Sequence, residues 1–319
     1  MGQQTQMERV VKYFSRWIDR FPDINAVATA PELEILKAWE GLGYYSRARN
    51  IHATAKRLRQ FYDSRLPADY KTILSFPGIG PYTAAAIMSI SFNQPFPVVD
   101  ANVKRLYARL FDLDEPLDRA AGRKKLEQLG SDLLPREKAR DFNQSVMELG
   151  ALVCRPGTPR CGQCPVAGEC LALERGTVDS RPVQREKTKK IEIIMSCGII
   201  HRNGRIYIQQ RQADDVWGGL WEFPGGQIET GESPAEAARR EILEETELRI
   251  AGLKPLGTVV HHYTKYRVVL HGFTCRLHPN DQRPVLHAAQ GYRWVLPTEL
   301  RAYPFPAGNR QLIEKILRN

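Results

Sequence analysis

Phe76-Pro77-Gly78-Ile79-Gly80-Pro81-Tyr82-Thr83-Ala84-Ala85-Ala86-Ile87, continued by Val98-Val99-Asp100-Ala101-Asn102-Val103-Lys104-Arg105, is the stretch on which the fold turns. Pro77 to Gly80 break one helix sharply. Pro81 suits the first turn of the next, and the alanines that follow are strong helix formers. Two helices joined by such a Gly-x-Gly hairpin present backbone N–H groups at the second helix's N-terminus. With the helix dipole, these make a site for a phosphate oxygen. A lone Pro-Gly-x-Gly also fits an ordinary hairpin inside an all-α core. Asp100 changes that balance, because Asn102, Lys104 and Arg105 follow it at once. A carboxylate entering a helix N-terminus beside two cations suits chemistry on a DNA backbone or sugar.

The chain has 319 residues, enough for two domains with their own cores. Its net charge of +10 and pI near 9.4 favour a polyanionic partner, although a basic solvated surface gives the same count. It has no run of eighteen apolar residues and no signal-peptide core. The expectation is a soluble, cytoplasmic monomer with no membrane contact. Six cysteines in such a chain argue against a disulfide framework and toward a metal or cluster site.

Four of them, Cys154, Cys161, Cys164 and Cys170, stand at the spacing C-x6-C-x2-C-x5-C. Four thiolates so close together can enclose one soft metal centre, and the spacing alone leaves zinc and iron–sulfur both open. Cys197 and Cys275 lie outside this run and read as small buried apolar residues.

Residues 177–190 are polar and, toward their end, basic, and read as a linker. Beyond them the pattern turns to β. Ile191–His201 and Arg205–Gln210 flank Asn203-Gly204, a two-residue hairpin signal. Thr258–Arg276 and Tyr292–Val295 read as further strands, and Asn309–Leu317 as a closing helix. Gly226-x5-Glu232-x7-Arg240-Glu241-Ile242-Leu243-Glu244-Glu245 looks like a Nudix box, departing at Glu247, where that family has glycine. On a helix, Glu241, Glu244 and Glu245 fall within an arc of about 100°. A divalent cation such as Mg2+ would relieve their repulsion and could bridge a diphosphate.

Taken together, these motifs resemble the adenine DNA glycosylases of the helix-hairpin-helix endonuclease III superfamily, over nearly the whole chain. The resemblance implies an all-α helix-hairpin-helix glycosylase domain with a [4Fe–4S] cluster loop (1–176), the basic linker (177–190), and an α+β Nudix-fold domain (191–319). It implies double-stranded DNA with adenine opposite 8-oxoguanine as partner. It makes Cys154, Cys161, Cys164 and Cys170 the cluster ligands, with Arg155 and Arg160 presenting charge to DNA.

Asp100, with Asn102 beside it, would stabilise positive charge on the sugar. Gly78, Gly80 and Lys104 would grip phosphates. Gln3, Gln4 and Thr5 would wedge into the duplex. Tyr44 would insert beside the lesion, with Arg47 alongside. Glu148 would face the adenine edge, and Tyr263 and Thr264 would read 8-oxoguanine. Tyr82 stands where strand-cutting members carry lysine, so no Schiff base can form and the reaction is monofunctional. The family's catalytic glutamate stands four residues before the first of the glutamines, upstream of Met1, and the expectation is a chain start assigned too late. Two other readings stay open: a Nudix pyrophosphohydrolase tethered to a DNA-binding domain, and a lesion binder without catalysis.

Overall fold

The computed structural model describes Met1 and residues 7–183, 191–263 and 266–318. Its contacts form two compact units, Met1–Ser64 together with Thr188–Asn319, and Arg65–Lys187.

The first unit begins with helices α1 (Met7–Arg20), α2 (Ile24–Thr29), α3 (Glu32–Trp39) and α4 (Ser46–Phe61). Asp23 caps α2 by accepting from the Ala26 N–H at 2.7 Å. The apolar spacing of α1 turns Trp17 and Phe21 inward, where Trp17 meets the edge of Trp39 with ring centroids 5.7 Å apart. Ile35, Leu36 and Leu42 complete this cluster, and Leu220 from the C-terminal segment is buried within it.

The second unit holds α5 (Tyr70–Leu74), α6 (Pro81–Phe92), α7 (Ala101–Leu110), α8 (Ala120–Leu133), α9 (Ala139–Leu152) and α10 (Leu171–Glu174). The expected hairpin joins α5 to α6, with Gly78 at φ +72 and Pro81 at the first helical position. Val103, Leu106, Tyr107 and Leu117 form the core with Leu126. The Gly150 Cα on α9 lies so close to α7 that a Cβ there would sit 2.8 Å from the Asn102 carbonyl oxygen. The start of the expected linker is fastened to this unit. Thr177 Oγ1 donates to Asp112 Oδ1 at 2.6 Å, and Arg175 and Arg181 pair with the same carboxylate. Residues 184–190 lie outside the described residues.

The first unit resumes with a sheet of strands β1 (Ile191–Arg202), β2 (Arg205–Arg211), β3 (Trp221–Glu222), β4 (Gly225–Gln227), β5 (Ile250–Tyr263), β6 (Tyr266–Leu277) and β7 (Ala289–Val295). Among the described residues the order is β3-β2-β1-β6-β5, with β4 also paired to β1 and β7 to β2. The β1–β6 pair is parallel and the others antiparallel. Asn203 (φ +49) and Gly204 (φ +73) make the expected turn between β1 and β2.

Successive side chains of a strand point to opposite faces, so Ile199 and Ile200 enter different cores. Ile199 packs in the cluster of α12 (Ala307–Ile316), with Leu312 and Ile313. Ile200 packs in that of α11 (Pro234–Thr246), with Ile242 and Cys275. Both are fully buried, a gain of about 1.5–3 kcal/mol each before entropy. Cys197 and Cys275 are buried as expected. No helix among the described residues is long and apolar enough to cross a membrane.

Candidate active site and nucleic-acid interface

At the hairpin, Gly78, Gly80, Pro81 and Tyr82 are all exposed. Gly80 is the N-cap of α6 and has no side chain to fill the helix end, so an anion can approach the backbone there. Asp100 is the N-cap of α7. Its Oδ1 accepts from the N–H groups of Asn102 (2.8 Å) and Val103 (2.7 Å), and its Oδ2 from Asn102 Nδ2 (2.9 Å). These bonds lock the carboxylate in place while leaving lone pairs unused. Burial first, and then the Asp100 charge, push the Tyr82 phenol above its ordinary pKa.

Arg105 departs from the sequence expectation. Its guanidinium is not a cation offered to phosphate; the residue is only 9% exposed. Nε donates to the Cys154 carbonyl (2.7 Å), and Nη2 to the Gly150 carbonyl (2.6 Å) and to Asn102 Oδ1 (2.9 Å). The cause is helical geometry: 105 lies on the side of α7 that meets α9, whereas Lys104 points outward and pairs with Asp118. A continuous chain of hydrogen bonds therefore runs from the Asp100 carboxylate through Asn102 and Arg105 to the backbone of the first cysteine.

Cys154, Cys161, Cys164 and Cys170 line a single cavity, walled otherwise by Arg109 and by apolar side chains such as Leu106, Leu110 and Val153. Burial and then the neighbouring cysteines raise the Cys161 thiol, which also puts the four in one field. Among the described residues no group of three or more His, Cys, Asp or Glu side chains is already drawn together as a metal would draw them. The donor set still fits a thiolate-ligated centre. Arg109 supplies positive charge, with Nη1 3.5 Å from Cys154 Sγ and 3.1 Å from the Arg155 carbonyl. Its Nε donates to the carbonyls of Val178 and Arg181, and its own carbonyl accepts from Cys170 Sγ. Arg155 and Arg160 are exposed at the loop surface.

Arg109 went unnoticed in the sequence, although Arg105 and Arg109 stand one turn apart on the otherwise apolar face of α7. Asn143 went unnoticed too. It is buried, accepts from the Val98 N–H and donates to Ser89 Oγ and the Phe96 carbonyl, which fixes the chain leading into Asp100. Glu148, one helix face away, is exposed.

In the other unit, the turn from Gly41 to Tyr45 is tightly built. Tyr44 takes φ +48, a left-handed conformation rare for a tyrosine. The Arg47 guanidinium lies 5.2 Å from the Tyr44 ring and 5.4 Å from the Trp39 ring, and donates to the carbonyls of Leu42 and Gly43. Gln3, Gln4, Thr5 and Thr264 lie outside the described residues, as does the Tyr263 side chain; the Tyr263 backbone ends β5 opposite Tyr266.

The three glutamates of α11 do not share one environment. Glu245 is partly buried and its carboxyl is raised to about 7, by burial first and then by Glu222. It accepts from Gly225 N–H and Gln209 Nε2, each at 2.9 Å. Glu241 and Glu244 both receive bonds from Arg240 Nη1, while Arg240 Nε and Nη2 hold Glu232. The repulsion expected for an unpaired carboxylate face is thus relieved by an arginine from the same motif, because 240 and 244 are one helical turn apart.

Residues 1–135 match the family model described as HhH-GPD superfamily base excision DNA repair protein, and residues 196–315 match the NUDIX domain. The adenine DNA glycosylase of Mycolicibacterium smegmatis is 36% identical over 220 residues, 68% of this chain and 74% of that one. The chain belongs to the adenine DNA glycosylase family. The human adenine DNA glycosylase is 30% identical over 353 aligned positions, covering 94% of this chain and 63% of its own length. That of Buchnera aphidicola from Schizaphis graminum is 32% identical over 224 residues, 70% of this chain and 65% of its own length. The chain therefore spans a little under two thirds of the length of these two relatives.

Proposed function

We propose that this chain is a base-excision repair glycosylase that hydrolyses the N-glycosidic bond of adenine opposite 8-oxoguanine in duplex DNA. The observation that carries the reading is Asp100, held by three hydrogen bonds at the end of α7 in the unit that also contains the phosphate-binding hairpin. Glycosidic cleavage builds an oxocarbenium-like sugar, and a fixed carboxylate stabilises that charge as it develops. Asn102 orients the carboxylate. Gly78, Gly80 and Lys104 hold the backbone. Tyr44, with Gln3, Gln4 and Thr5, offsets the few kcal/mol needed to turn a nucleotide out of the stack. Glu148 meets the adenine edge, and Tyr263 and Thr264 meet the opposing base.

The four cysteines would hold a [4Fe–4S] cluster, which would brace the loop, while Arg155 and Arg160 on that loop would supply the positive potential toward DNA; no step of base release is routed through it. The glycosylase is assigned to residues 1–176 and the Nudix fold to residues 191–319, although the compact units of the structure divide the chain after Ser64 and after Lys187, in a cytoplasmic, monomeric protein working on DNA.

Duplexes with adenine opposite 8-oxoguanine, guanine or thymine test the reading. Adenine should be released from the first two, leaving an abasic strand that breaks only on alkali treatment, since Tyr82 cannot form an imine. Strand cutting without alkali overturns the monofunctional assignment. Selective binding with no release from any duplex overturns the glycosylase in favour of a lesion binder.

A second reading rests on Glu222, which is buried, and on the partly buried Glu245, whose carboxyl is pushed up by burial and then by the Glu222 charge. We propose that these, with Glu241 and Glu244, take Mg2+ and act on nucleoside polyphosphates. Phosphate or pyrophosphate release that disappears in Glu244→Gln is expected, and no turnover over a nucleotide panel would remove this reading.

A further inference from the structure

The Gly41–Tyr45 turn is not supported by its own helices alone. Glu40 closes α3 immediately before it and is mostly buried. Its Oε1 accepts from the Phe305 N–H (3.0 Å) and from Arg310 Nε (2.9 Å) and Nη2 (2.5 Å). Its Oε2 accepts from Lys37 Nζ at 2.6 Å, and Lys37 also donates to the Tyr303 carbonyl. At the far end of the turn, the Tyr45 hydroxyl donates to the Phe305 carbonyl at 3.3 Å and accepts from the Gly41 N–H at 3.4 Å. Residues 303–310 of the C-terminal segment therefore grip both ends of the turn.

Between those two grips stand three left-handed residues, Gly41 at φ +96, Gly43 at φ +69 and Tyr44 at φ +48. A tyrosine stays in that conformation only where its surroundings over-determine it. The Arg310 guanidinium, anchored as well by the carbonyls of Tyr303 and Leu300, gives Glu40 a charge-assisted, two-nitrogen contact with fixed direction. Loss of that contact leaves a mostly buried carboxylate short of its partner, and the turn is the element free to relax.

We propose that Glu40 is a positioning residue. Through Arg310 and Phe305, the C-terminal segment holds Tyr44 and Arg47 in the pose that selects a distorted, mispaired duplex over an intact one. The inference rests on the glycosylase reading, which puts Tyr44 against the mispair. It goes beyond that reading by making the C-terminal segment responsible for the shape of an N-terminal turn.

The test uses the full chain, with equilibrium binding to fluorescent duplexes carrying either adenine opposite 8-oxoguanine or adenine opposite thymine. Wild type, Glu40→Gln, Arg310→Gln and the double variant are compared at one salt concentration, with thermal melting in parallel. Each single change should weaken binding to the mispair duplex about tenfold, with little effect on the intact duplex. The double variant should be no worse than the weaker single, because the partner is already gone. Equal losses on both duplexes would assign Glu40 a merely structural role. Unchanged selectivity in both singles, with wild type selective, overturns the proposal by itself. A wild type that does not distinguish the duplexes overturns the glycosylase reading, and the proposal with it.

Discussion

Adenine release should fall about a thousandfold when Asp100 becomes asparagine, with duplex binding retained. Asparagine is as good an N-cap as aspartate, and its side-chain oxygen can still accept from the Asn102 and Val103 N–H groups. The end of α7 and the bond between Asn102 and Arg105 should therefore survive, although the link from Asn102 Nδ2 is lost where an amide NH2 replaces the accepting Oδ2. What disappears is the negative charge facing the sugar as the bond to the base breaks. Single-turnover kinetics on a duplex with adenine opposite 8-oxoguanine measure the loss, and gel-shift titration measures binding. A variant that keeps release within tenfold of wild type removes Asp100 from the mechanism, since tenfold corresponds to only about 1.4 kcal/mol.

The second large effect is expected at the cysteines. Cys164→Ser should lose bound iron and destabilise the Arg65–Lys187 unit by about 4 kcal/mol or more, as removal of a structural metal centre commonly does. The reason lies in how much of that unit hangs on the loop. Arg105 bonds the Cys154 carbonyl, while Arg109 bonds the Cys154 sulfur and the carbonyls of Arg155, Val178 and Arg181. If the cavity loses what holds its walls, both arginines lose partners they are buried to reach. Iron analysis, visible absorbance and thermal melting follow the outcome. Protein that purifies with zinc and no iron, and melts unchanged after Cys164→Ser, would overturn the cluster assignment.

Much of the chain's organisation was legible without coordinates because it rests on local chemistry. The break at Pro77-Gly78, the restart at Pro81, the Asn203-Gly204 turn and the carboxylate capping α7 each depend on backbone preferences within a few residues. Boundaries were less exact where neighbours extend an element. Antiparallel pairing with β6 carries β5 back to Ile250, and α12 begins at Ala307, directly after Pro306.

Side chains whose role depends on distant partners were the ones misread or overlooked. Lys104 and Arg105 are adjacent cations in the sequence, yet one faces outward to Asp118 and the other is buried against Cys154 and Gly150. Glu241, Glu244 and Glu245 looked like one carboxylate face. In the fold the partly buried Glu245 accepts from Gly225 and Gln209, and Arg240 takes the other two.

The sequence by itself determined the helix-hairpin-helix, the four-cysteine spacing, the Nudix pattern and the carboxylate at the start of α7, since each is a short-range pattern with few physical alternatives. Only the tertiary structure decided that Arg105 ties Asp100 to the cysteine loop, and that residues 303–310 clasp the Gly41–Tyr45 turn through Glu40. Those contacts join positions far apart in the chain. Periodicity says which face of an element is buried, but not which residue will meet it there.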